Sequence, residues 1–133
     1  MMLAIAIAVA TMQPAPVSAE LLAGLSESEV SFTAHGKKQS CTGPTLASVV
    51  AKLGVPQGKD VRGQILATGI VACARDGYTV LFSIGELDAM LGASKVIVAT
   101  KCDGDAIPAE DGPHRLVAPG EQRAARSVRS WRA

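Results

Sequence analysis

Glycine-bearing turns cut this chain into pieces that leave room only for strands and short helices. They are His35-Gly36-Lys37-Lys38, Gly43-Pro44, Gly54, Arg75-Asp76-Gly77, Gly92, Cys102-Asp103-Gly104-Asp105, Gly112-Pro113 and Pro119-Gly120. Before the first turn, Val30-Ser31-Phe32-Thr33-Ala34 alternates apolar and polar residues as a half-buried strand does, and Gln39 to Thr42 returns beside it as a hairpin. The short apolar runs Gln64 to Thr68 and Ile70 to Ala74, divided by Gly69, read as one bent strand or two. Asp76-Gly77 suits the positive φ angles of a tight two-residue turn, which makes Tyr78 to Phe82 the return strand. Lys95 to Thr100 is an apolar, central strand, and Gly112 to Gly120 is a turn, a short buried strand and a second turn.

Two pieces carry a helical period instead. Thr45 opens a helix in which Leu46, Val49, Val50 and Leu53 share one face, and Gly54 stops it. Ser83-Ile84-Gly85-Glu86 has the spacing of a capping box; Ile84, Leu87 and Leu91 share a face of the helix that follows, and Gly92 ends it. The class is therefore α+β, a mainly antiparallel or mixed sheet with two short helices. The chain has neither a G-x-G-x-x-G fingerprint nor a P-loop, which argues against a doubly wound nucleotide-binding fold.

Leu3 to Ala10 is an apolar run followed by Pro14, Pro16 and the small-residue end Val17-Ser18-Ala19, the pattern of a secretory signal cleaved after Ala19. Eight residues are far short of the roughly 20 that span a bilayer, so no stable membrane span is expected once the signal is gone. Export predicts a periplasmic or secreted protein, with Glu20 to Ala133 as a single domain. Hydrophobic residues make up 48% of the sequence but only four are aromatic, so Val, Ile, Leu and Ala must build the core. The net charge of +1 supplies no field for nucleic acid. From Gly112 onward, however, five arginines (115, 123, 126, 129 and 132) stand against one acid, Glu121.

Cys41, Cys73 and Cys102 make no C-x-x-C pair and no zinc spacing. In an exported protein they permit one disulfide by any of three pairings; buried unpaired thiols are the simpler expectation. His35 and His114 have no Cys or carboxylate at metal-ligand spacing and read as surface residues. Asp103-Gly104-Asp105 lacks the remaining ligands of a calcium loop. Ser83 is a cap, since no Gly-x-Ser-x-Gly elbow surrounds it. Asp76, Glu86 and Asp88 have structural reasons at a turn and a helix start, and Arg115 reads as the partner of Glu110 or Asp111 in an ion pair.

Taken in order, Gly43-x-x-Leu46 through Gly54, Asp76-Gly77-Tyr78-x-Val80, Glu86-Leu87-Asp88, Asp103-Gly104-x-x-Ile107-Pro108 and Gly112-Pro113-x-Arg115-Leu116-Val117-x-Pro119-Gly120 resemble the small stand-alone branch of the sulfite-oxidase-like molybdopterin-binding oxidoreductase domain. The resemblance runs from Val30 to Arg129 and implies the sulfite-oxidase type of α+β fold. In the full enzymes of that family a molybdenum atom is held by a pyranopterin dithiolene and one protein cysteine. A basic-Ser-x-basic segment near the domain's end lies at the pterin phosphate. The matching stretch here is Arg126-Ser127-Val128-Arg129, with Arg123 one helical turn before it, and two guanidinium groups with a hydroxyl suit a phosphate. The resemblance thus names molybdopterin as the possible cofactor and Arg126, Ser127 and Arg129 as its binding residues, and the spacing of three adds Arg123 to the same anion pocket.

The departures shape the expectation. The family's metal-binding cysteine lies well before the Gly-x-x-Leu helix, whereas Cys41 is only two residues before Gly43 and reads as a strand residue. The expected protein is an exported, non-catalytic module without bound molybdenum, binding a small anionic ligand or a periplasmic redox partner protein. The alternative is a molybdopterin-dependent oxidoreductase of the sulfite oxidase type.

Overall fold

A computed structural model describes residues 15–34, 36–108, 110, 112–121, 124–127 and 131–132. The apolar run Leu3 to Ala10 lies outside them, as do His35, Asp111, Arg123 and Arg129. Among the described residues no helix is long and apolar enough to cross a membrane. A short helix, α1 (Ala19–Leu22), is capped by the Ser18 hydroxyl, so the expected cleavage point falls at its first turn.

The chain is α+β with antiparallel pairing between all its named strands. β1 (Glu27–Ala34) and β2 (Lys37–Pro44) form the expected hairpin, longer than the sequence pattern suggested because the loop between Ala34 and Lys37 is only two residues. Gly36 takes φ +76° in that loop, a conformation open to glycine at no steric cost. β6 (Lys101–Cys102) and β7 (Asp105–Ala106) extend this sheet in the order β1-β2-β6-β7. A second sheet has the order β4-β3-β9, from β3 (Gly69–Ala74), β4 (Thr79–Ser83) and β9 (Trp131–Arg132). The β3–β4 connection falls at Arg75-Asp76-Gly77 as expected: Ala74 and Tyr78 close it, and within it Gly77 alone takes positive φ, at +91°.

β5 (Ile97–Ala99) pairs with β8 (Arg115–Val117) between the two halves of the core. Val98 and Leu116 join α2 (Leu46–Lys52) and the β3–β4 hairpin, whereas Ile97, Ala99 and Val117 join Val30, Phe32 and Cys41 of the first sheet. A strand covered on both faces has no polar alternation, which is why Lys95 to Thr100 read as central. The sharp passage from β2 into α2 depends on Gly43, where an added Cβ would lie 1.9 Å from the Val98 carbonyl oxygen. Beyond it, the Thr45 hydroxyl caps α2 by accepting from Ser48 N–H, and Leu46, Val49 and Val50 are buried as their spacing predicted.

Four expectations fail, each for a local reason. Gln64 to Thr68 is not a strand: Gly63–Ala67 forms a 3-10 helix closed by Thr68 N–H donating to the Ile65 carbonyl, with Leu66 turned to solvent. The second helix, α3 (Ile84–Leu87), makes one turn and stops before Leu91, although its capping box forms as expected. The buried Asp88 carboxylate instead accepts from the Gly58 and Met90 backbone N–H groups, and the chain folds back so that Gly92 lies against Glu86. Cys41 and Cys102 are not unpaired thiols: they sit directly opposite on β2 and β6 and form a disulfide, leaving Cys73 free. His114 is not at the surface, because it leads into β8 and is 9% exposed.

Candidate functional site

Arg126 lies at the end of a 3-10 turn, Ala124–Arg126, and its guanidinium stacks over the Phe82 ring 4.5 Å from the centroid. Two carboxylates hold it. One is Glu86, which accepts from Nη1 at 2.9 Å and from Nη2 at 3.3 Å. The other is Glu121, whose Oε1 accepts from Nε at 2.8 Å and also from Nη2. Nη1 further donates to the Leu81 carbonyl at 2.9 Å. The Glu86 carboxylate meanwhile accepts from Ser83 N–H, which completes the α3 capping box. The hydrogen bond from Arg126 holds the Glu86 carboxyl below the usual carboxylate range despite its partial burial. The two carboxylates push the Arg126 pKa upward from an already high value.

Two more bonds pin the same segment. The Tyr78 hydroxyl donates to the Ala125 carbonyl at 2.5 Å, and the Ser127 hydroxyl oxygen accepts from Ala118 N–H at 3.0 Å. Arg126 and Ser127, adjacent in sequence, thus turn to different neighbours: Arg126 to β4 and α3, Ser127 to the end of β8. Arg123 and Arg129 lie outside the described residues. Glu121 and Glu86 are the functional neighbours that sequence reasoning did not assign to Arg126. Glu121 is the only acid after Gly112 and sits five residues before its partner, a signal that was present in the sequence; no local spacing links Glu86 to Arg126, forty residues away.

Beside this cluster lies a cleft of about 400 Å³ lined by Ser31, Phe32 and Thr33 of β1 on one side and by Ala118, Gly120, Glu121 and Ser127 on the other. Ser127 already accepts a hydrogen bond, yet its own hydroxyl proton remains available to a ligand. Glu121 belongs to both the cleft and the arginine cluster. Below the β1 wall, Arg115 is buried, lies over the Phe32 ring at 4.9 Å and donates to Gln39 Oε1 at 3.2 Å, so it supports the wall from inside.

Among the described residues the donor set for a molybdenum centre does not converge. The Cys41 sulfur is bonded to Cys102 and has no thiolate to offer. Cys73 lies on the exposed face of β3 with Val71, accepts from the Thr79 hydroxyl, and does not line the cleft. Among the described residues no three His, Cys, Asp or Glu side chains come together as a metal site would require. No protein-family model matches the chain, and no curated protein matches it. What the cleft can do is read from its geometry.

Proposed function

We propose that this chain is a non-catalytic, exported binding module with the sulfite-oxidase type of α+β fold, and that it takes a partner protein in the cleft between β1 and the 118–121 turn. The order of its sequence motifs supports the fold type, and the antiparallel α+β architecture is compatible with it. The disulfide supports export, because such bonds persist in oxidising compartments. The observation that carries the function is the state of Arg126. Its guanidinium is already engaged by Glu86 and Glu121, so a small anion arriving there must displace a carboxylate, whereas the hydroxyl-lined cleft beside it is open.

Molybdopterin chemistry fits these residues poorly. The family uses a cysteine thiolate on the metal and a free basic cluster on the phosphate. Here Cys41, itself out of place for that ligand, is held in a disulfide, and Arg126 faces two carboxylates.

The test has two arms. Protein purified from its native host should contain no stoichiometric molybdenum by elemental mass spectrometry; one metal per chain would overturn the non-catalytic reading. A photo-crosslinking residue at Thr33 should capture a partner that the same residue at Lys59 does not. Equal capture at both positions would remove the cleft from the reading.

A further inference from the structure

We infer that the outer face of the β3–β4 hairpin, centred on Val71 and Leu81, is an isologous contact between two copies of this chain. The inference goes beyond the cleft reading, because neither residue lines the cleft.

The alternation along the hairpin sets this face apart. On β3, Ala72 and Ala74 point into the core and Ile70 packs against it; on β4, Val80 and Phe82 point the same way. The opposite face carries three cross-strand pairs: Cys73 with Thr79, Val71 with Leu81, and Gly69 with Ser83. An antiparallel sheet with one buried face ordinarily carries polar residues on the other. Here Val71 is 53% and Leu81 60% exposed, side by side in the central pair.

The surrounding sequence is equally poor in charge, since none of residues 63–74 or 77–85 is Asp, Glu, Lys or Arg. At the Gly69–Ser83 end of the hairpin, Leu66 and Leu91, both about half exposed, lie 3.7 and 3.9 Å from the position a Cβ on Gly85 would take. Charges stand at the margins: Arg62 before the segment, Arg75 and Asp76 in the turn, and Glu86, which is held by Arg126. A charge-depleted apolar centre within a charged rim is the composition of a protein interface. The four aliphatic side chains expose on the order of 400 Å² of apolar surface, comparable to the largest patches on monomers, about 300–600 Å², which are often functional. A standard interface buries roughly 800 Å² per partner, so a face of this size, with Thr68, Thr79 and Ser83 exposed around it, suits a dimer of micromolar affinity.

The register argues that the occupant is a second copy. Large and small pairs alternate along the face, and Leu81 leans over Gly69, where a Cβ would lie 2.7 Å from Leu81 Cδ1. A two-fold axis lying across both strands, between the Val71–Leu81 and Gly69–Ser83 pairs, sets the large pair of each copy on the small pair of the other. The face is then self-complementary, as an isologous contact requires. The two leaning Leu81 side chains meet at the axis. Pairing of two β4 edges is blocked at Leu81, because its outward carbonyl accepts from Arg126 Nη1.

Sedimentation equilibrium of the full chain from about 1 to 200 μM should show a monomer–dimer equilibrium with half-association in the micromolar range. Leu81→Lys should weaken association at least about tenfold, since two ammonium groups then face each other across the axis, and Leu81→Glu should do the same. An equimolar mixture of these two variants should recover association, because the axis then pairs Lys with Glu. Leu53→Lys, at an exposed leucine closing α2, should change nothing. Val71→Lys and Val71→Glu repeat the comparison if circular dichroism shows the Leu81 variants unfolded. Spin labels on the native Cys73 thiol should lie on the order of 20 Å apart, because each Cys73 is three residues along the strand from the axis.

A chain that stays monomeric over that range would overturn the inference, whether the face then proves to be covered by the chain's own Leu3 to Ala10 run or by another protein. Dimers that Leu81→Lys leaves intact would also overturn it, as would variants whose mixture fails to recover association. A disulfide joining two Cys73 residues would put the axis through Cys73 and overturn it as well. None of these results touches the cleft, which the crosslinking at Thr33 judges separately.

Discussion

Replacing both Cys41 and Cys102 by alanine tests the covalent link on which the first sheet and the interpretation of Cys41 depend. The two residues are 61 apart in sequence. Between them lie α2, the β3–β4 hairpin, α3 and β5, so the bond closes a loop through most of the described core. Loop-closure entropy for that separation gives about 4 kcal/mol of stabilisation, acting through the unfolded chain. Cys41 is fully buried against Val30, Phe32 and Ile97, so its removal also loses packing. A domain of this size has a total stability of about 5–15 kcal/mol, so the loss is a large share of it. Urea unfolding, followed by far-UV circular dichroism, should show the midpoint falling by about 2 M at an ordinary m-value, with Cys73→Ser as a control that leaves the midpoint near the parent's. Thiol titration of the unreduced, unfolded parent should find one reactive thiol. Three thiols, or an unchanged midpoint in the double variant, would refute the reasoning and return Cys41 to the pool of potential metal ligands.

Three further outcomes follow from the site and its supports. Arg126→Ala should lower stability by about 1–2 kcal/mol, since its hydrogen bonds are charge-assisted but about a third exposed, and differential scanning fluorimetry reads that loss; no change would mean that the cluster is solvated charge. His114 is buried, its Nδ1 has no hydrogen-bond partner among the described residues, and burial lowers its pKa below the usual 6.5. The unfolded chain therefore binds a proton first as pH falls, so stability is kept above pH 6.5 and declines below it; denaturation at pH 7.5 and 5.5 should show a smaller difference in His114→Asn than in the parent. Gly43→Ala would drive a methyl group into the Val98 carbonyl, and its circular dichroism should show loss of cooperative unfolding; a native-like melt would refute the close approach of β2 and β5.

The elements legible in the sequence were those whose cause is local. The α2 period, the Ser83–Glu86 capping box, the β1–β2 alternation and the glycine turns each follow from residues within a few positions of one another. The misread parts were decided at long range. Nothing near Gln64 to Thr68 tells a strand from a 3-10 turn, because the run is short and its flanks are both glycine. The second helix was expected to reach Leu91 by periodicity, but the Asp88 carboxylate is taken by Gly58, thirty residues away. The Cys41–Cys102 pairing needed the β2–β6 register, which sequence spacing does not contain. At the candidate site, the basic residues were visible and their carboxylate partners were only half visible. Glu121 was in plain sight as the sole acid of the segment, but Glu86 had already been assigned to a cap.

That double use of Glu86 bears on how a partner could be held. The carboxylate that caps α3 also accepts from Arg126, and Arg126 donates to Glu121, which lines the cleft. The second wall of the cleft is therefore not a free loop: it is tied to β4 and α3 through one guanidinium, and to β8 through Ser127. A wall held in place before a partner arrives lowers the ordering cost of binding. The arginine that the sequence offered as an anion ligand thus contributes best as a tether. It fixes the position of Glu121, and through it the wall of the groove that faces β1.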